Sequence, residues 1–338
     1  MLRPALRRVL ALAFPCLGFA VVCSGQHPPG TITYVVDSSY AEAPLLAALD
    51  DHGGAPLLRA EAAGTLLLRS RELVTRRRAF DSLYAVLPRA AADPVADWDA
   101  LSSVSRVDEP DGAWRLLTWQ LFVDDSTYVC GGLFLPREGA PVPLLDSAQA
   151  KGLDREYELL PEQWYGAVYY GVQPFRLRDK REAWLLFGYD ADGFAHRRKV
   201  ADVLTLDRRG RPRFGAEVFV GMEGRPGYTF SRLVLEYRVD ARVGLRYDDA
   251  LGGIVHDRLV AGPPLRRGDP PSGIPDGSYD GYVYDRKDGR WHYREEWFDR
   301  VVSEEAPRPA PLFDAGSAET RDLFGRPAKR RVAKAPPR

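Results

Sequence analysis

A chain of 338 residues, 45% of them hydrophobic, can bury roughly three quarters of its unfolded surface, enough for one large domain or two small ones. Its 47 basic and 47 acidic residues cancel, but unevenly: without Arg3, Arg7 and Arg8 of the leader and the six basic groups from Arg326 onward, residues 26–325 keep 38 basic against 47 acidic, a net of −9. A body of that sign excludes a general nucleic-acid binder, which must neutralise phosphates with Lys and Arg.

The first 25 residues have a basic start, an apolar run from Val9 to Val22 and small residues at Ser24 and Gly25, the layout of a secretory signal peptide cleaved before Gln26. That run of 14 residues is short for a bilayer, so no transmembrane span is expected in the mature chain. Cys23 invites lipid attachment, but Val22 stands before it where a small side chain is wanted, which favours a soluble product over a lipid-anchored one. Arg7-Arg8 is a weak sign of twin-arginine export beside the plainer reading of a basic flank. The expected address is exported, periplasmic or associated with the outer envelope. Two of the three cysteines fall in the leader, which leaves Cys130 and no internal disulfide. Cys130 lies in the strand pattern Tyr128–Leu135 and reads as a buried small hydrophobe.

Along the chain, Thr31–Asp37 is β-branched and reads as an edge strand or an extended lead-in. Ala41–Asp51 and Arg69–Leu87 read as helices; in the second, Leu73, Phe80, Leu83, Tyr84 and Leu87 recur at three- and four-residue steps, and Pro88 is expected to end it. Arg76, Arg77 and Arg78 read as a solvated basic face. After a loop over Pro88–Asp97 and an anchor at Trp98, the pattern turns to β. Trp114–Val123 and Thr127–Leu135 flank Asp124-Asp125-Ser126, and a three-residue loop sets Leu121 against Val129, Trp119 against Gly131 and Leu117 against Leu133.

Strands are expected over Trp164–Val172, Ala183–Tyr189, Phe194–Lys199, Val200–Leu206 and Phe214–Val220, with turns at Asp190-Ala191-Asp192-Gly193 and Asp207-Arg208-Arg209-Gly210. From Leu233 to Tyr247 the odd positions are mostly apolar, while Glu236, Arg238, Asp240, Arg242 and Arg246 are charged. That parity predicts a hairpin with Val239 opposite Val243 and Tyr237 opposite Leu245, or one long bent strand. Tyr282–Tyr284 and Trp291–Tyr293 form a further hairpin around Lys287-Asp288-Gly289. The expected fold is mainly β with an α-helical N-terminal region, an antiparallel β-sandwich or partly closed barrel. The organisation expected is a signal peptide over 1–25, a helical region over 26–105 packed on the β domain, an antiparallel β domain over 106–300 and a disordered Pro/Arg-rich tail over 301–338.

Catalytic signatures are missing: there is no G-x-S-x-G elbow, no H-E-x-x-H, no phosphate-cradling glycine loop and no clustered Cys/His spacing, and no cofactor is expected. His256-Asp257 is the best imidazole and carboxylate pair, but adjacent strand residues point to opposite faces. Asp276, Asp280, Asp285 and Asp288 offer hard oxygen ligands for calcium, against the plainer reading of hairpin-turn aspartates. Tyr279, Tyr282, Tyr284, Trp291, Tyr293 and Trp297 are either a platform for sugar rings or a peptide, or half of a core. Glu295 and Glu296 beside them are the candidate carboxylates for glycoside cleavage.

Trp114-Arg115-Leu116-Leu117-Thr118-Trp119-Gln120-Leu121, Asp125-Ser126-Thr127-Tyr128 and Trp164-Tyr165-Gly166-Ala167-Val168-Tyr169-Tyr170 together resemble a group of exported proteins typical of Bacteroidota-type bacteria. Arg198-Lys199-Val200-Ala201-Asp202-Val203-Leu204, Leu245-Arg246-Tyr247 and Asp276-Gly277-Ser278-Tyr279-Asp280 extend the likeness over roughly residues 80 to 300. The group has no assigned activity. The resemblance implies export and a single β-rich unit and transfers no catalytic role; the basic tail has no counterpart in it. The function expected is an exported envelope protein acting as a non-enzymatic binding or structural module, with an envelope partner or a glycan as its ligand. The alternative is a secreted hydrolase acting on a glycan or other envelope polymer through paired carboxylates.

Overall fold

A computed structural model of the chain describes residues 41–92, 98–124, 126–147, 157–191, 193–265 and 271–297. The leader with Cys23, the Thr31–Asp37 segment, Asp125, Asp192 and the C-terminal tail lie outside them.

Three helices come first: α1 (Glu42–Asp50), α2 (Pro56–Arg69) and α3 (Leu73–Ala91). Pro56 opens α2, where its fixed φ and missing N–H cost nothing. The expected Arg69–Leu87 helix is corrected at both ends, since Arg69 closes α2 and α3 runs through Pro88 to Ala91. Leu87 and Ala90, on either side of the proline, are buried, and that packing holds the last turn despite one lost backbone bond. α2 escaped the periodicity reading because much of its buried face is small, with Ala60, Ala62, Ala63 and Gly64 beside Leu66 and Leu67; Gly64 is pressed against Ser103, where a Cβ has no room. Arg76 is not simply solvated: its guanidinium donates to the carbonyls of Phe122 (3.2 Å), Ser70 (2.9 Å) and Arg71 (2.8 Å), and Arg78 pairs with Asp50.

The strands are β1 (Val104–Asp108), β2 (Trp114–Asp124), β3 (Thr127–Pro136), β4 (Val142–Leu145), β5 (Val168–Arg176), β6 (Glu182–Asp190), β7 (His196–Leu206) and β8 (Pro212–Phe214). Then come β9 (Phe219–Met222), β10 (Arg225–Phe230), β11 (Leu233–Arg238), β12 (Leu245–Asp248), β13 (Gly253–Gly262), β14 (Ser272–Asp285) and β15 (Arg290–Arg294). They form three sheets, in the orders β1-β2-β3-β4, β11-β7-β6-β5 with β8 beside β7, and β10-β9-β15-β14-β13-β12. Neighbours run antiparallel except β15 and β9, which are parallel, and no sheet closes into a barrel.

The β2–β3 register is the expected one, with Leu121 against Val129, Trp119 against Gly131 and Leu117 against Leu133. A Cβ at Gly131 would stand 2.5 Å from the Trp119 indole, so glycine is what lets that ring lie flat on the strand. The Leu233–Tyr247 hairpin is corrected: β11 pairs with β7 in the middle sheet and β12 with β13 in the third, so the chain crosses between sheets at 239–244. The alternation survives because Leu233 and Leu245 face the same core from opposite sides. Parity fixes which face a residue takes, not which strand it pairs with. Phe194–Lys199 and Val200–Leu206 merge into the single strand β7, and Phe214–Val220 breaks into the end of β8 and the start of β9.

The result is four layers. The odd face of β2 (Leu117, Trp119, Leu121) packs on Leu66, Phe80, Leu83 and Leu87 of the helices. Its even face (Trp114, Leu116), with Phe134, packs on Trp184, Leu186, Val200 and Leu204 of the middle sheet. The other face of the middle sheet, with Leu185, Phe187, Ala201 and Val203, packs on Phe219, Ile254, Tyr282 and Trp291 of the third. Cys130 is buried in the second of these cores.

Candidate functional site

The β14–β15 hairpin gathers the predicted aromatic residues, with Tyr282 paired to Tyr293 and Tyr284 to Trp291. Tyr282, Trp291 and Trp297 are buried, Tyr284 and Tyr293 are partly covered, and Tyr279 is exposed. The Trp291 ring meets Phe175 edge-on at 5.7 Å, and the Tyr282 hydroxyl donates to the Gly221 carbonyl at 3.2 Å. Trp297 covers β13 and β14 where Gly253 and Gly281 leave space for it. Most of the ring area that was to meet a ligand therefore meets the middle sheet.

The four predicted aspartates do not form one cluster. Asp276 accepts from the Ser278 amide (2.9 Å) and hydroxyl (2.7 Å), which hold its pKa below the ordinary value. Asp280 is buried and accepts from the Tyr293 hydroxyl (2.7 Å) and the Glu296 amide (3.1 Å). Asp285 and Asp288 come together with His292, which the sequence reading did not include; one ligand atom from each lies within 4.8 Å of the others, a trio able to hold a cation. Each also does a turn's ordinary work, Asp285 accepting from the Lys287 amide (2.8 Å) and Asp288 from the Arg290 amide (3.0 Å) and His292 Nε2 (2.8 Å).

The carboxylates proposed for hydrolysis are tied to a cation. Arg258 bridges Glu223 (2.6 Å) and Glu295 (2.9 Å), with Glu296 at 3.9 Å. The pKa values of Asp108, Asp124, Asp179, Asp207 and Asp276 are displaced downward, whereas a general acid needs a carboxyl held up. His256 and Asp257 make no side-chain bond: His256 Nδ1 donates to the Asp257 carbonyl (3.0 Å), while the Asp257 carboxylate accepts from the Gly244 amide (2.6 Å). Burial pushes the His256 pKa down.

Two arrangements were not legible in the sequence. The first is a polar network inside the molecule. Arg232, between β10 and β11, pairs with Asp202 of β7 at 2.9 Å, both side chains fully buried. Asp202 also accepts from the Tyr169 hydroxyl (2.7 Å), which in turn accepts from Trp164 Nε1 (3.1 Å). Burial, reinforced by Asp202, raises the Tyr169 pKa well above the ordinary phenol value. This buried network ties the crossing from third sheet to middle sheet to the strands behind it.

The second is open to solvent. Lys199 of β7 shares the third-sheet side of the middle sheet with Tyr189 of β6, directly opposite it. Its ammonium lies 4.6 Å from the Tyr170 ring centroid and 5.4 Å from that of Tyr189. Tyr170 is the extra residue of a β-bulge in β5, between the Tyr169–Gly188 and Gly171–Phe187 pairs, and a bulge re-aims the side chain it carries. Its hydroxyl donates to the Leu245 carbonyl across the sandwich at 2.8 Å. Tyr237 of β11 completes the frame; burial, then the neighbouring Tyr189, raises its pKa to about 12. Among the described residues no carboxylate comes within ion-pair distance of Lys199, and burial alone lowers its pKa. The reason is parity: Asp190, Asp202 and Glu236 occupy even positions and turn to the opposite face, where Arg198 takes Glu236 at 2.7 Å.

Two open grooves of about 820 and 610 Å³ flank the β3–β4 loop and share Pro136, Arg137, Gly139 and Pro141. Neither contains a sequence-predicted site residue. No family model matches the chain, and neither does any curated protein.

Proposed function

We propose that the chain is an exported, non-enzymatic binding module of the cell envelope, working through the face at which Lys199 opens. The observation that carries this reading is a half-buried lysine set against the rings of Tyr170 and Tyr189, with no carboxylate within ion-pair distance among the described residues. Such a frame attracts an anionic group. The layout of the leader supports export, and the consumption of the β14–β15 aromatics in a core removes the surface that a hydrolase there would use. Arg258 likewise engages Glu223 and Glu295, the latter one of the carboxylates that the alternative would use.

The test is to incubate the full chain with cell-wall and plant polysaccharides, measuring retardation in affinity electrophoresis and release of new reducing ends in the same samples. Saturable retardation without new ends is expected. Sustained release of ends overturns the non-enzymatic reading. Fractionation of a tagged full-length chain checks the address, with the envelope fraction expected and retention in the cytoplasm contradicting export.

A further inference from the structure

We propose that Lys199 anchors an acidic saccharide, its ammonium holding the carboxylate of a uronate-type sugar while Tyr170 offers apolar surface to the sugar ring. The assignment rests on the binding-module reading and names the ligand class for it.

Three features point to that chemistry. Lys199 is taken half out of water and given no counter-charge among the described residues, an arrangement that costs stability and is relieved when an anion arrives. Its cationic neighbour on the same face, Arg197, already donates to the carbonyls of Gly193 (2.7 Å) and His196 (2.7 Å), whereas among the described residues the Lys199 ammonium is met by tyrosine rings. Tyr170 is 44% exposed yet held in place by the bulge and by its bond to Leu245, and a ring fixed in advance loses little freedom on binding. An anion recognised by charge alone needs no such ring; a sugar bearing an anionic group uses both, and the sulfated polymer in the experiment separates a carboxylate from a sulfate. Residues 26–325 carry a net charge of −9, so a polyanion is not drawn to the molecule in general and must find a local site.

The experiment titrates the full chain and its variants with polygalacturonate, dextran sulfate, neutral dextran and inorganic phosphate by calorimetry, at low and at physiological salt. The parent is expected to bind polygalacturonate more tightly than the other three, with affinity falling as salt rises. Lys199→Met is expected to lose at least about tenfold in affinity, and Tyr170→Ala severalfold, while Lys199→Arg retains most of it. Lys199→Met should melt close to the parent temperature, because the charge it removes from a half-buried site offsets the ring contacts it loses. A marked drop in its melting temperature means a structural lysine and overturns the proposal. Equal affinity of parent and Lys199→Met, a preference for neutral dextran, or no binding of polygalacturonate also overturns it. Preference for dextran sulfate or for free phosphate rejects the uronate assignment in favour of a different anion. Binding to a neutral polymer that Lys199→Met leaves intact defeats this site but spares the binding-module reading, whereas release of reducing ends defeats that reading itself.

Discussion

Single residues carry much of this architecture through charges that solvent never reaches. Asp202 and Arg232 are both fully buried, so removing one partner strands the other in the interior. Asp202→Asn should lower stability by about 3–5 kcal/mol, read from the midpoint of urea denaturation at unchanged slope; a loss below about 1 kcal/mol would show that the pair is dispensable. His256 makes a pH-dependent contribution of defined sign. Burial lowers its folded pKa, so below about 6.5 the unfolded chain takes up a proton that the native chain refuses. Its contribution is intact above that pH, is lost progressively as the pH falls, and stops changing below the folded value. His256→Phe should flatten that part of the stability profile, measured by melting between pH 7.5 and 5; an unchanged slope contradicts the assignment. The sequence signalled only half of this. The even positions of Asp190, Asp202 and Glu236 were readable, but both faces of the middle sheet are covered, and alternation does not say which of two interiors receives a charge.

At the scale of elements, local pairing was legible and long-range pairing was not. The β2–β3 register followed from the Asp124–Ser126 turn and from an indole placed over a glycine, both local facts. The β11–β12 segment has an equally clean alternation, yet its halves pair with β7 and β13, because connection through a sandwich preserves parity as well as a hairpin does. The aromatic hairpin was readable as a hairpin, while its register and its covering layer, Phe175 and the middle sheet, were not, the latter lying too far away in sequence. Tyr170 escaped for a different reason, since a bulge adds a residue out of step with the alternation that reveals strands. Helix α3 offers a direct check. Because it continues past Pro88 to Ala91, Pro88→Ala restores a backbone donor inside a helix and should stabilise the protein by about 1–3 kcal/mol. Thermal unfolding reads the outcome, and a neutral or destabilising change would place the helix end at Leu87.

The whole molecule is a stack of a helical layer and three sheets, and the candidate site follows from that stacking. A middle sheet with two covered faces sends its acids to one side, toward the first sheet, and leaves Lys199 among tyrosines where it faces the third. The apolar run Ala183–Phe187 of β6 has the composition of a strand buried on both faces, so the middle position of that sheet was partly legible. The order of layers was not, because it depends on crossings at 239–244 and near Arg232 that carry no pattern of their own. Hydrogen exchange on the full chain, with and without polygalacturonate oligomers, tests the account most directly. Slowed exchange is predicted around Val168–Gly171, His196–Val200 and Leu245. Slowing confined to Asp285–His292 or to the β3–β4 loop would place the ligand elsewhere and contradict it.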